Sequence, residues 1–139
     1  MKLIDRYVVS FALIMAGTTL VFRYLLSDSL LTRQYSQIWV YAGIYSVIIF
    51  LAGWFLGRAH SLSNLRFDIG LPFSAAGFLA WGTTSYLWFV LGFAAPGESL
   101  FPVHLGLGIW AGLLVIHVIV FLALRRDTIR GMHKSELFS

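Results

Sequence analysis

The residue in this sequence with the greatest potential for chemistry is His117, an imidazole inside the apolar stretch between Glu98 and Arg125. It lies eight positions before Arg125, which at 1.5 Å of rise per helical residue places it roughly 12 Å from that charge. Ionisable groups at such depth in a membrane usually face the protein interior and often mark function. His117 is therefore a candidate ligand or polar-network residue. The alternative is a neutral imidazole hydrogen-bonded to a neighbouring helix.

The histidine spacing disfavours a haem site. His104 and His117 are 13 positions apart, which is about 20 Å along a helix and on nearly opposite faces, so they cannot share one haem. His60 lies just outside the second predicted span and His133 lies in the C-terminal tail, and neither matches the depth of His117. The absence of cysteine excludes disulfides, iron–sulfur clusters and cysteine-zinc sites. We predict no cofactor and no metal, while a redox subunit that binds haem or quinone through His117 stays an alternative.

A set of hydroxyl side chains near the middle of three apolar stretches forms a second candidate. Thr18 is 11 positions after Tyr7, and Thr83 is 11 positions after Pro72, so antiparallel helices should bring such groups to similar depth. The set comprises Thr18, Thr19, Ser46, Thr83, Thr84 and Ser85. These hydroxyls can line a site for a small polar solute, or they can form hydrogen bonds between helices. We expect no Asp, Glu, Lys or Arg beside them, which argues against an ion-coupled transporter.

Paired glycines indicate where helices approach closely. Gly53 and Gly57 fit G-x-x-x-G, as do Gly108 and Gly112. This spacing places two glycines on one helix face and permits close backbone contact. We predict packing at these four positions, either within the chain or between two copies of it.

The composition determines which elements must position these groups. The chain has 139 residues, of which 59% are hydrophobic and 12% charged, and its mean hydropathy is +0.83. These values exclude an ordinary soluble enzyme and a disordered chain. The long uncharged stretches predict four spans at about 7–26, 38–57, 72–94 and 102–124. Spans of about 20 residues must be helical, because lipid offers no partner for backbone polar groups.

The connections between the predicted spans are short, and the third contains the turn signal Pro96-Gly97. Short connections make consecutive helices antiparallel neighbours. We therefore predict an all-α integral membrane protein with four transmembrane helices in an up-down bundle. It forms a single membrane domain over 1–139, ending in a basic tail at 125–139.

Basic residues predict the orientation of the spans. Arg23 and Arg33 fall on one side, and we expect Arg23 to snorkel outward from the last turn of the first span. The other side carries Lys2, Arg6, Arg58, Arg66, Arg125, Arg126, Arg130 and Lys134. The positive-inside rule then places both termini in the cytoplasm. Six of these residues are candidates for binding lipid headgroups, or form a solvated positive loop and tail: Arg58, Arg66, Arg125, Arg126, Arg130 and Lys134.

The C-terminal half also shows a family resemblance. Residues 67–121 hold two spans split by a Pro-Gly turn, and positions 110–117 read W-A-G-L-L-V-I-H. This segment resembles the W-G-I-G-L-x-x-H segment of the bacterial "2TM" domain, chiefly through Trp110 and His117. That two-helix module occurs alone or attached to regulatory proteins such as sensor histidine kinases. Its usual histidine at the entry to the first helix is replaced here by G-L-P-F-S at 70–74.

The resemblance implies an accessory or sensory module, and we expect a multi-pass protein of the bacterial inner membrane. The sequence contains no H-E-x-x-H motif, P-loop or carboxylate pair, so we predict no enzyme. Its predicted partners are the lipid bilayer, a second copy or other membrane proteins, and no nucleic acid. We expect an accessory, sensory or scaffold module that acts through helix packing. The second alternative is an oligomeric transporter or channel for small solutes that uses the midplane hydroxyls.

Overall fold

The computed structural model describes residues 5–63 and 70–136, with side chains described over 5–60 and 70–124. This part of the chain consists of four helices and contains no strand, which confirms the predicted all-α class. The helices are α1 (Arg6–Leu31), α2 (Tyr35–Ser63), α3 (Gly70–Val90) and α4 (Phe101–Glu136). Within the described residues, three stretches are long and apolar enough to cross a membrane: Arg6–Leu31, Tyr35–His60 and Phe101–Leu124.

The helix ends differ from the predicted span boundaries for identifiable reasons. The first helix begins after Asp5, whose carboxylate caps it by accepting from two amide groups of the first turn. It continues through the polar residues after Leu26, because Ser27 and Ser29 are buried in the helix packing. The third helix ends at Val90, and the segment after it contains Gly92 with a positive φ of 77°. The fourth helix runs on into the predicted basic tail as far as Glu136.

Helix α1 lies at the centre of the fold, between α2 and α3. Hydrogen bonds between Thr19 and Tyr45 near its middle and between Asp5 and His60 at its start show that α2 runs antiparallel to it. The hydrogen bond from Arg23 to Ser85 and the ring contact between Phe11 and Phe73 show that α1 and α3 run parallel, because both pairs follow the same order along the two helices.

Helix α4 packs antiparallel against α3. In the described residues its backbone does not come close to α1 or α2, although the Trp110 ring packs against the cluster that includes Phe11. Trp110 near its middle bonds to Ser74 near the start of α3, while Trp81 lies against Gly106. The helix directions therefore alternate as predicted. The main packing order is α2–α1–α3–α4, with a smaller contact between α2 and α3 where His60 meets Phe73. The helix backbones form an open row, and not a closed bundle in which α4 would return beside α1.

The interior of this row is small. Its buried cluster comprises Val8, Phe11, Met15 and Phe73, with the two phenylalanine ring centroids 5.2 Å apart. Gly77 of α3 lets α1 and α4 pack closely beside this cluster. A Cβ added at Gly77 would lie 3.2 Å from the Trp110 ring and 3.3 Å from Phe11, so a larger residue would crowd both side chains. The apolar windows of α2 and α4 have no buried residues. Most of the apolar surface therefore faces outward.

Candidate functional site

The most polar buried position is Arg23, two turns before the end of α1. Its Nη1 lies 3.3 Å from Oε1 of Glu98, and the two side chains are only 9% and 5% exposed. Glu98 reaches this position from segment 91–100, which connects α3 and α4. The expectation that Arg23 snorkels outward is wrong. Because α1 continues to Leu31, Arg23 is not at the helix end, and its charge is paired inside the protein.

Hydroxyl and indole groups complete the surroundings of this ion pair. Oε2 of Glu98 accepts hydrogen bonds from Ser27 Oγ at 2.8 Å and from the backbone amide of Ala95 at 3.0 Å. Arg23 Nη2 donates to Ser85 Oγ at 3.2 Å, and Trp88 Nε1 donates to Ser27 Oγ at 3.3 Å. We refer to Arg23, Ser27, Ser85, Trp88 and Glu98 as the polar network. It ties α1, α3 and segment 91–100 together.

Within the polar network, the hydrogen-bonding capacity of Glu98 is better satisfied than that of Arg23. Glu98 accepts from three donors, whereas Nε of Arg23 is buried without a hydrogen-bond partner. The guanidinium carbon lies 5.7 Å from the centroid of the Phe89 ring, which adds a cation–π contact. Buried charges are stable only when compensated, so the position of Arg23 depends on Glu98 remaining ionised.

The predicted set of midplane hydroxyls does not form one site. Thr18 and Ser46 bond to backbone carbonyls of their own helices, and Thr83 is exposed. Thr84 and Ser85 are buried, and Ser85 belongs to the polar network. The expectation that no charged group accompanies these hydroxyls is wrong, because an arginine bonds to one of them.

Thr19 makes a separate polar contact deeper in the fold. Its hydroxyl lies 2.6 Å from the Met15 carbonyl oxygen and 2.9 Å from the hydroxyl of Tyr45. Tyr45 also donates to the Met15 sulfur at 3.9 Å. This contact joins α1 to α2 one turn from Arg23, and Tyr45 lies close enough to Arg23 to interact with its charge.

A second ionisable pair lies at the opposite end of α1. His60 Nδ1 is 2.6 Å from Asp5 Oδ2, and His60 is only 3% exposed. The His60 ring meets Phe73 edge-on, with 5.7 Å between centroids. Burial raises the pKa of the Asp5 carboxyl, but hydrogen bonds from the Val8 amide and from His60, together with its charge, hold it below its usual value. The sequence placed His60 outside the second span, whereas α2 continues past it to Ser63.

The candidates on α4 lie apart from the polar network. Trp110 donates from Nε1 to Ser74 Oγ at 3.0 Å and packs against Trp81 and Gly77, so it fastens α4 to α3. His117 lies half-buried two turns further along α4. His104 is exposed, with its ring 5.5 Å from that of Tyr86. Among the side chains described, at residues 5–60 and 70–124, no three His, Cys, Asp or Glu groups cluster in a way that could hold a metal ion.

Within the chain, the closest approaches to a glycine are at Gly77, Gly82 and Gly106, which were not among the predicted positions. At Gly82 and Gly106 an added Cβ would lie 3.0 Å from Leu107 and Trp81 respectively. Among the predicted positions, Gly53 has Phe11 at 3.6 Å, and Gly57 is half-buried on α2. In the described part of the chain nothing lies within 4 Å of a Cβ added at Gly108 or Gly112. The contact face of α4 follows Gly106 and Trp110, which leaves Gly108 and Gly112 on the open side.

Five of the six candidate headgroup residues belong to helix segments at the end of the row that also holds Asp5 and His60. Arg58 is exposed near the end of α2. Arg125, Arg126, Arg130 and Lys134 belong to the last turns of α4, with side chains outside the described set, and Arg66 lies outside the described residues. The alternating helix directions thus bring these basic segments to one end of the molecule.

No family model, curated protein or solved structure matches this chain. The resemblance to the two-helix membrane domain therefore stays a prediction, and the function must be inferred from the geometry.

Proposed function

We propose that this chain is a polytopic membrane protein that acts as a non-enzymatic packing module, associating with a second copy or with other membrane proteins. The observation that carries the proposal is the open row of helices. Its two outer helices, α2 and α4, present wholly unburied apolar windows. The family resemblance implies an accessory or sensory role. Such a role, or that of a scaffold, fits a molecule whose largest apolar surfaces are not covered by its own chain and are free to contact lipid or another protein.

The two ionisable pairs support a transmembrane placement. Asp5 and Arg23 are 18 positions apart on one continuous helix, which corresponds to about 27 Å. A hydrocarbon core is about 30 Å thick. Charged pairs at that separation are suited to the two edges of a bilayer, with the apolar cluster around Phe11 between them.

We infer that α3 is the fourth span, although it is not among the three stretches that are long and apolar enough by themselves to cross a membrane. It lies beside α1 in parallel register, with Phe73 against Phe11 and Ser85 against Arg23. Its 21 residues extend about 31 Å. Its glycine, serine and threonine residues lower its hydropathy, and several of them are buried against α1 and α4. An inner helix of a membrane protein does not need the apolar surface that a lipid-facing helix needs.

The alternating helices place Arg6, Arg58 and the basic residues of α4 at one end, and Arg33 at the other. By the positive-inside rule, both termini are then cytoplasmic, in keeping with a bacterial inner-membrane protein. The chain lacks cysteine, so single cysteines can report the orientation. A membrane-impermeant thiol reagent should label Gln37→Cys in intact cells, and Ser63→Cys only after permeabilisation. The reverse pattern would contradict this orientation.

Cysteine crosslinking tests the packing role directly. Gly112 faces open space on α4, and Leu51 is an exposed residue of α2 at comparable depth. If α4 is the association face, Gly112→Cys should form a crosslinked species in native membranes, whereas Leu51→Cys should not. Should neither variant crosslink to a copy or to any other protein, and the purified chain be a monomer, the packing role is wrong.

The polar network gives a specific reason to keep a transporter or channel as the second candidate. A buried arginine paired with a glutamate and bonded to a serine hydroxyl would give a small polar solute a charged binding group at one edge of the bilayer. Liposomes that contain the protein should then show solute flux that Arg23→Met abolishes. Absence of flux across a panel of small polar solutes would rule against this candidate.

A further inference from the structure

We propose that Glu98 forms an acid-released latch, which closes segment 91–100 over the end of α1 and α3 while it is ionised and opens when it is protonated. This device does not depend on the packing role. Its basis is the way in which one carboxylate holds both a connecting segment and a buried arginine.

The start of segment 91–100 is fixed to α3, because the amides of Leu91, Gly92 and Phe93 donate to backbone carbonyls of that helix. The Phe93 ring also packs on the Trp88 ring at 5.3 Å between centroids. The part that a latch can release is therefore the remainder of the segment, residues 94–100. Ala95 is buried, and its amide donates to Glu98. Gly92 and Gly97 both have positive φ, 77° and 88°, a conformation that glycine adopts without strain. The segment therefore turns sharply at Gly92 and Gly97. Ala95, which lies between the two turns, and Glu98, which follows the second, hold it against the helices.

Ionised Glu98 accepts all three of its hydrogen bonds, from Arg23, Ser27 and the Ala95 amide. A proton taken from the aqueous phase would turn one acceptor oxygen into a donor and remove the attraction to the guanidinium. Arg23 would then be left buried with Ser85 as its hydrogen-bonding partner, since its Nε already has none. An uncompensated buried charge is costly, so Arg23 would move toward water and the segment would lift.

Any test must distinguish the pH response of Glu98 from that of other titratable groups near this end of the molecule. Arg23 is the charged group that contacts it from α1, and Tyr45 of α2 lies near Arg23. Four further groups are exposed at this end of α1, α3 and α4: Asp28, Arg33, Tyr86 and His104. Glu98→Gln is the necessary control, because it removes the Glu98 carboxyl and leaves all of these groups in place.

The test uses the full chain in membranes, with one cysteine introduced at a time. Ala95→Cys reports opening, because Ala95 is 5% exposed, and Leu91→Cys is the matched exposed control in the same segment. The ratio of the two labelling rates with a soluble thiol reagent cancels the effect of pH on thiol reactivity. We expect this ratio to rise at least tenfold between about pH 7 and about pH 3, because protonation favours the open segment only below the ordinary range of an exposed carboxyl group.

In the Glu98→Gln background the ratio should already be high at neutral pH and should not depend on pH. A ratio that stays low in this variant, or a pH response that survives in it, would overturn the latch. If Ala95→Cys does not fold, Val103→Cys, buried at the start of α4 and 1% exposed, serves as the second reporter. An unchanged ratio for both reporters would also overturn it.

Discussion

Replacing Glu98 by Gln should destabilise the fold by about 3 kcal/mol. The change removes the charge from an ion pair whose side chains are both more than nine-tenths buried, at an N–O distance of 3.3 Å. Leaving one buried charge unpaired costs about 3–5 kcal/mol. The new amide oxygen can still accept from Ser27 or from the Ala95 amide, and one such bond restores about 1 kcal/mol. The folded-to-unfolded ratio should therefore fall about a hundredfold.

A double-mutant cycle separates charge pairing from general disruption. Arg23→Met fills much of the arginine stem volume without charge, so Arg23→Met with Glu98→Gln should be more stable than Glu98→Gln alone. The expected coupling energy is about 2 kcal/mol or more. Unfolding by a denaturing detergent in mixed micelles, followed by helical circular dichroism, measures each corner. Asp28→Asn, an exposed acid on the same helix, should shift stability by less than about 0.5 kcal/mol. If the two single changes simply add, the pair does not compensate charge as described.

Three further outcomes follow from the packing and the capped end of α1. Gly77→Val should cost about 1–3 kcal/mol in the same assay, because its Cβ would meet the Trp110 ring at 3.2 Å, whereas Gly17→Ala, with open space around it, should cost nothing. Ser74→Ala should cost about 1 kcal/mol through the lost indole hydrogen bond, and Trp110 fluorescence should shift. The pKa of Asp5 is lowered in the folded protein. Its contribution to stability is therefore present above about pH 4, the ordinary carboxyl value, and is lost as pH falls through the lower native pKa. Asp5→Asn should remove this acid-dependent loss of stability, and an unchanged acid response would contradict the assignment.

Much of the fold could be predicted from the sequence because hydrophobic stretches and turn signals act locally. Four helices with alternating directions follow from four uncharged stretches joined by short connections. The helix ends were harder to predict, because Ser27 and Ser29 are polar and would end a lipid-facing span. They remain helical because the packing of α1 buries them.

The candidate site could be predicted only in fragments. Ser85 was among the expected hydroxyls, but Arg23 and Glu98 were assigned to span edges and loops. They are 75 positions apart, and a local pattern carries no signal for a pair at such separation. The same holds for Asp5 and His60, 55 positions apart. For the glycines the spacing motif was a weak guide, because close approach depends on which face of α4 meets α3.

The sequence by itself determines that this chain is apolar, helical and built of stretches long enough to cross a membrane, because hydropathy and length are properties of each segment alone. Tertiary structure decided the order of the row, the burial of Arg23 and the partners of Asp5 and Glu98. Those features depend on the parallel register of α1 with α3 and on the turn that brings Glu98 back over both. A charge that looks exposed at the edge of a span becomes an interior group once a second segment supplies its opposite charge.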